Sequence, residues 1–192
     1  MAKIGFEYIV AGELDETVSK SAETAKYKNP REIGPGANVN GSPTTSDVKD
    51  FGDDHAVETD VSVTGGTLSL ELNEPTMENE AWMLGHDCAE DGGMVRNAND
   101  VPPMIGIGFV GKSRRNNKTV FRTKIYLKTQ FKEPSDENQT KQENTTFNHT
   151  TMEGSLFQLE NGDWKKEQEY TDLQAAKTAI NTFFGLTDAA GA

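Results

Sequence analysis

"GIGFVGKS", residues 106–113, spells a phosphate-binding loop letter for letter, and its reading decides the fold. A true loop of this kind leaves a strand, closes backbone N–H groups around phosphate oxygens, and opens a helix beside its lysine and hydroxyl. The flanks do not allow that. In "PPMIGIGFVGK" (102–112), Ile105, Ile107 and Phe109 alternate with Gly106, Gly108 and Val110, which is the two-residue period of a strand. Ser113 then leads into "RRNNK" (114–118), a turn, and not into a helix. No hydrophobic strand ending in Asp offers the magnesium-holding carboxylate. The stretch is a strand, and glycines alternating along a strand mark a bend or a close backbone approach.

Working outward, "TVFRTKIYLKTQF" (119–131) alternates along its whole length. Phe121, Thr123, Ile125, Leu127 and Phe131 are expected to point inward. Arg122, Lys124, Tyr126, Lys128 and Gln130 are expected to point outward. Arg122, Lys124 and Lys128 thus form a basic stripe, which suits an acidic surface on a neighbouring copy.

Upstream, "VETDVSVTGGTLSLELN" (57–73) consists of two alternating runs around Gly65-Gly66, the signature of a two-residue hairpin turn. That turn would place Val63 opposite Leu68, Val61 opposite Leu70 and Asp60 opposite Glu71. Val61, Val63, Leu68 and Leu70 would then share a buried face. The other face would carry Glu58, Asp60 and Glu71, with Asp60 and Glu71 an unfavourable like-charge pair; such a face is either simply solvated or serves to present negative charge.

Before this lies a segment without periodicity. Residues 20–54 contain Pro30, Pro35 and Pro43 and are expected to be a long extended loop. A loop of that length inside a domain is uncommon unless it is disordered or functional. The first strand candidate is "IGFEYIV" (4–10), with Ile4, Phe6, Tyr8 and Val10 on one face. Two helices are predicted. In "NEPTMENEAWMLGHD" (73–87), Pro75 suits the first turn, Gly85 the end, and Met77, Ala81 and Leu84 the buried face. In "TDLQAAKTAINTFFG" (171–185), Asp172 sits in the first turn, Gly185 lies past the end, and Leu173, Ala176, Ile180 and Phe183 share a face. "KQENTTFNHTTMEGSLFQ" (141–158) reads as a polar strand. The predicted class is mainly β, an antiparallel β-sandwich or barrel of residues 1–192 as one domain, with one or two short helices.

Composition narrows function by exclusion. The 192 residues carry a formal net charge of −12 and are 34% hydrophobic. Such acidity opposes wrapping nucleic acid, which needs Lys and Arg to displace counterions, but not letting nucleic acid slide past. A single cysteine, Cys88, leaves no intrachain disulfide. No apolar run approaches a membrane span, and the N-terminus lacks a signal-peptide pattern. The four Asn-x-Thr sequons (Asn117, Asn138, Asn144, Asn148) therefore imply no glycan. "DFG" (50–52) lacks the rest of a kinase. Asp47, Asp50, Asp53 and Asp54 lack regular calcium-ligand spacing. His86, Asp87 and Cys88 assemble no zinc set and read as a surface loop after the helix. No catalytic residue, cofactor site or metal site is assigned.

An ordered series of features carries a resemblance. "DFGDDHAVETDVSVTGGTLSLELNEPTMENEAWMLGH" is followed by "VPPMIGIGFVGKSRRNNKTVFRTKIYLKTQFKEPSDENQTKQENTTFNHTTMEG". From Asp50 to Gly154, and more faintly through "NGDWKKEQEYTDLQAAKTAI", the chain resembles the major tail protein of long, non-contractile-tailed bacteriophages. The resemblance implies a β-sandwich of tail-tube type that joins edge to edge into six-subunit rings, which stack into the conduit for the genome. It implies a virion location after assembly in the bacterial cytoplasm, with no membrane. Partners would be further copies of the chain and the tape measure, tail terminator and distal tail proteins, with DNA crossing the lumen without specific binding. It implies no catalytic residue. Glu58, Asp60 and Glu71 would face the lumen. Arg122, Lys124 and Lys128 would meet acid on an adjacent subunit. The 20–54 loop, with Pro30, Ile33, Pro35, Val39 and Pro43, would reach a neighbouring subunit or ring. The other reading is a monomeric β-sandwich binding or adhesion module, for which the chain lacks a solvent-facing Trp/Tyr row, Trp82 and Trp164 being expected far from the long strands.

Overall fold

A computed structural model describes residues 2–52, 55–73, 75–89, 93–135 and 149–186, with side chains except at 2–4, 48–52 and 55–60. The chain runs β1 (Ala2–Leu14), β2 (Tyr27–Glu32), β3 (Gly36–Gly52), β4 (His55–Leu72), α1 (Met77–Leu84), β5 (Asp87–Cys88), β6 (Met94–Val95), β7 (Ile105–Arg115), β8 (Lys118–Phe131), β9 (Thr150–Phe157), β10 (Lys165–Tyr170) and α2 (Leu173–Phe184). One antiparallel sheet has the order β2-β1-β7-β8-β9-β4-β3, and β10 adds to the free half of β8. The mainly β, sandwich-like class expected from the alternating runs is what the structure has.

β7 is strand throughout, as its alternation demands, and sits at the centre. Ile105, Ile107 and Phe109 face a core completed by Leu68, Leu70 and Met152 of β4 and β9 and by Met83 and Leu84 of α1. On the opposite face, Val110 joins Ile125, Ile180 and Phe184 under α2. The two glycines explain why both faces close. A Cβ on Gly108 would lie 2.6 Å from the Phe184 ring and 3.3 Å from Ile180, and one on Gly106 would overlap the Tyr27 ring. The flat strip they leave seats Tyr27 and Phe184, whose centroids are 4.6 Å apart, and Tyr27 donates its hydroxyl to the Leu127 carbonyl at 2.9 Å. The close approach is the packed helix at Gly108 and the Tyr27 ring of β2 at Gly106. Asn116 and Asn117, both at positive φ (49° and 61°), make the two-residue turn into β8.

Both helices end at the predicted glycines, but their N-caps are Thr76 and Asp172, so Asp172 precedes the first turn expected to hold it. Thr76 accepts from Asn79 N at 3.2 Å and Asp172 from Ala175 N at 2.9 Å, and Gly85 and Gly185 terminate them in the left-handed region. Thr76 is the N-cap of α1, so Pro75 lies outside its first turn, and Met77 is 50% exposed.

Two predicted features are corrected. The long loop at 20–54 is mostly strand: β2 and the 17-residue β3 occupy it. The Gly65-Gly66 hairpin does not form, because β4 runs straight through both glycines and pairs with β3 from Gly36↔Leu72 to Gly52↔His55. Gly65-Gly66 sits instead at a bulge, where Thr44 pairs Gly65 and Thr45 pairs Val63, leaving Thr64 extra. One extra residue reverses the alternation. Val63 and Val61 therefore fall on the face of Leu68 and Leu70, as the hairpin would also have placed them. That face is buried only in part: Leu68 and Leu70 are 0% exposed, whereas Val61 is 61% exposed.

Bulges correct two other face assignments. A register shift at Tyr8 (φ 61°) turns Phe6 toward the central core while Tyr8 and Val10 face α2. Between Ile105↔Thr129 and Ile107↔Tyr126, β8 carries two residues against one of β7, so Phe131 joins the central core and leaves Leu127 on the α2 side. The "outward" Tyr126 is buried in the same core.

Candidate interaction surface

A groove of about 810 Å³ opens where β3 crosses the strands of the central sheet. Residues 38–41 of β3 form one wall, and Lys112, Arg122 and Lys124 project from β7 and β8 on the other. Gly41 permits the crossing, since a Cβ there would overlap the Tyr126 ring and hydroxyl. The aromatic residues form a continuous row. Phe6 meets Phe109 edge-on at 5.7 Å, Phe109 stacks on Tyr126 at 6.4 Å, and Tyr126 lies 6.3 Å from Trp164. Cations ride on this row: Lys124 Nζ lies 5.9 Å from the Phe109 centroid and Lys165 Nζ 5.2 Å from that of Tyr126.

The groove is strongly cationic for so acidic a chain. Five cations line it, Lys112, Arg115, Arg122, Lys124 and Lys165. Among the described residues, Glu7, Glu167 and Glu169 pair with them. Arg122 bridges Glu167 at 3.5 Å and Glu169, Arg115 reaches Glu169 at 3.0 Å, Lys112 reaches Glu7 at 3.7 Å, and Lys165 pairs with Glu167. The hydrogen bond from Arg122 holds the Glu169 carboxyl below its ordinary value. Desolvation pushes Glu167 upward, but Lys165, Lys124 and Arg122 outweigh it and hold it down as well. These acids stay ionised, and the lining keeps a surplus of positive charge.

The predicted basic stripe therefore divides. Arg122 and Lys124 line the groove, whereas Lys128, beyond the β8 bulge, pairs with Glu16 at a separate small cavity beside Leu14. Asp60 and Glu71 do not face each other. Glu58 lies opposite Asp50, Asp60 opposite Val48, and Glu71 opposite Asn38 and Thr151. Positions 60 and 71 lie about 35 Å apart along β4 at the usual rise per residue. The stacking-loop candidates separate too. Pro30 is in the edge strand β2, Val39 and Pro43 are in β3, Pro35 lies between the two strands, and Ile33 is a fully buried core residue. Trp164 is not far from the long strands, since its carbonyl accepts from Leu127 N of β8 at 3.1 Å. Trp82 packs on the core with the Arg31 guanidinium 4.6 Å from its ring centroid.

Past Gly66, β4 loses β9, whose pairing ends at Gly66↔Leu156. From Thr45↔Val63 to Gly52↔His55, the described strands pair only with each other and form a two-stranded arm about 25 Å long. Thr64 Oγ1 donates to the Thr44 carbonyl at 3.3 Å and Gln158 donates to the Val63 carbonyl, anchoring its base. Between Thr44 and Val63 the sequence holds six carboxylates and one lysine. Asp53 and Asp54 of the loose calcium reading lie outside the described residues, as do the sequons at Asn138, Asn144 and Asn148.

His86 is not the surface residue expected of a loop. Its ring is 3% exposed, with Nδ1 2.6 Å from Asp100 and Nε2 hydrogen-bonded to Glu133. Arg96 bridges Glu133 at 2.5 Å and Glu80 at 2.6 Å, tying the end of α1 to the end of β8. The Asp100 hydrogen bond, helped by Glu133 against desolvation, raises the His86 pKa. Cys88 is exposed and unpaired by disulfide.

Sequence reasoning missed the groove and β10. The groove draws on β1, β3, β7, β8 and β10, and "KKEQEY" (165–170) offers no apolar alternation. Its alternating charges against Arg122 and Lys124 were the available signal. No helix among the described residues is long and apolar enough to cross a membrane. Among the described residues no group of three His, Cys, Asp or Glu side chains is placed to hold a metal ion. Comparison of the chain with known protein families and with curated proteins finds no match.

Proposed function

We propose that the chain is a structural subunit that assembles with copies of itself into stacked rings, a tail tube of the kind its sequence resembles. The observation that carries this reading is the β3–β4 arm. A two-stranded hairpin is marginal in water, and here eight residue pairs lie beyond the body with an exposed valine. A long strand paired on one side presents unused N–H and C=O groups, a hazard to a monomer and a joint in an assembly. In the tube, DNA passes through the lumen and the tape measure, terminator and distal tail proteins meet the chain at the tube's interior and ends. The groove gives a binding module no comparable support, because its aromatic row is largely buried.

Negative-stain microscopy of concentrated pure protein tests the proposal. Rings or hollow tubes are the expected outcome. Uniform monomers at high concentration, with a sedimentation coefficient that does not change with concentration, would count against it.

A further inference from the structure

Resting on that self-association reading, we infer that the basic, aromatic-floored groove is the receptor for the acidic arm of a second copy. The second copy's arm lies as an extended strand along the free edge of β3. Three independent features converge there. First, residues 38–41 pair with β4 on one side and, among the described residues, have no backbone partner on the other, so the groove wall is an open sheet edge. Second, the opposite rim is cationic in a chain of net charge −12, with Lys124 and Lys165 over the aromatic row and Lys112 in the same lining. Third, among the described residues β4 has no strand partner other than β3 past Gly66, and its sequence there holds Glu58 and Asp60.

The arm must come from another copy. It continues the same strand that forms the groove wall, and its pairing through Gly52↔His55 keeps it extended away from its own groove. The incoming carboxylates would share cations now paired with Glu7, Glu167 and Glu169, which is why docking is expected to weaken with salt.

Zero-length carbodiimide cross-linking of the full chain, with isotope-labelled and unlabelled protein mixed, decides the matter, and microscopy runs on the same samples. The expected result is intermolecular isopeptide links between arm carboxylates and Lys112, Lys124 or Lys165. A groove variant (Lys112→Glu with Lys124→Glu) and an arm variant (Glu58→Lys with Asp60→Lys) should each lose links about tenfold or more, since like charges then oppose, and the mixture should regain them, read at Lys165. Tubes without these links overturn the groove assignment and leave the tube reading standing. Links without tubes do the reverse. Links unchanged in both variants overturn the inference. Protection of the groove lysines by a DNA oligonucleotide, with no arm links, also overturns it and makes the groove a nucleic-acid surface.

Discussion

Residues 67–72 and residues 55–63 of β4 share one backbone and one partner strand, yet they live in different surroundings. The first group is flanked by β9 as well as β3, and Leu68, Leu70 and Leu72 are sealed beneath the central sheet. The second has, among the described residues, β3 as its one strand partner, and its Val61 stands in water. The same alternation of valine or leucine with hydroxyl residues thus serves a core at one end and an open arm at the other. Local pattern settles that a segment is strand; the number of flanking neighbours settles whether its apolar face is core.

Paired truncations on that one strand test the contrast most strongly. Leu70→Ala removes a fully buried side chain and should cost about 3 kcal/mol in urea unfolding. Val61→Ala should stay within about 0.5 kcal/mol in the dilute monomer. Equal losses would mean that the arm is packed in the isolated chain. Next in size, Gly108→Ala forces a Cβ against Phe184 and should destabilise by about 1–3 kcal/mol, because α2 must lift from the strand. A neutral result would show that α2 is held loosely and that the doubly covered strand is no more rigid than the arm.

The smallest effect concerns the latch at the far end of the body. The His86 pKa is raised in the folded chain, so its contribution is complete below the unfolded value of about 6.5 and is lost as pH rises through the folded value. The thermal midpoint of the wild-type chain should therefore exceed that of His86→Gln most near pH 6 and least near pH 8.5, by a few degrees at most. A gap that widens with pH would contradict the charged latch. Deletion of the arm should leave this pH dependence untouched.

What could be read in advance follows the range of the forces involved. Strand β7, its Asn-Asn turn and both capped helices are written in neighbouring residues, so "GIGFVGKS" could be taken for a strand from its flanks. Strand β3 could not be read, since an edge strand facing solvent needs no apolar period and tolerates Pro43 and three glycines. Gly65-Gly66 misled because a hairpin turn and a bulge call for the same residue, and only the partner strand distinguishes them. Arg122 and Lys124 were correctly singled out as basic. The aromatic row beneath them is assembled across three strands and Trp164, and no single segment announces it.

The bulge at Thr64 also separates what can vary from what cannot. Every residue pair beyond it is matched only within the arm, so deleting two residues from each arm strand would shorten the arm by about 7 Å and preserve the register of every strand in the body. A single-residue deletion from one strand would instead invert Val61 and Val63 without disturbing Leu68. The arm's reach is thus an adjustable length, set in two-residue steps, on a scaffold whose own dimensions are locked by Gly106 and Gly108.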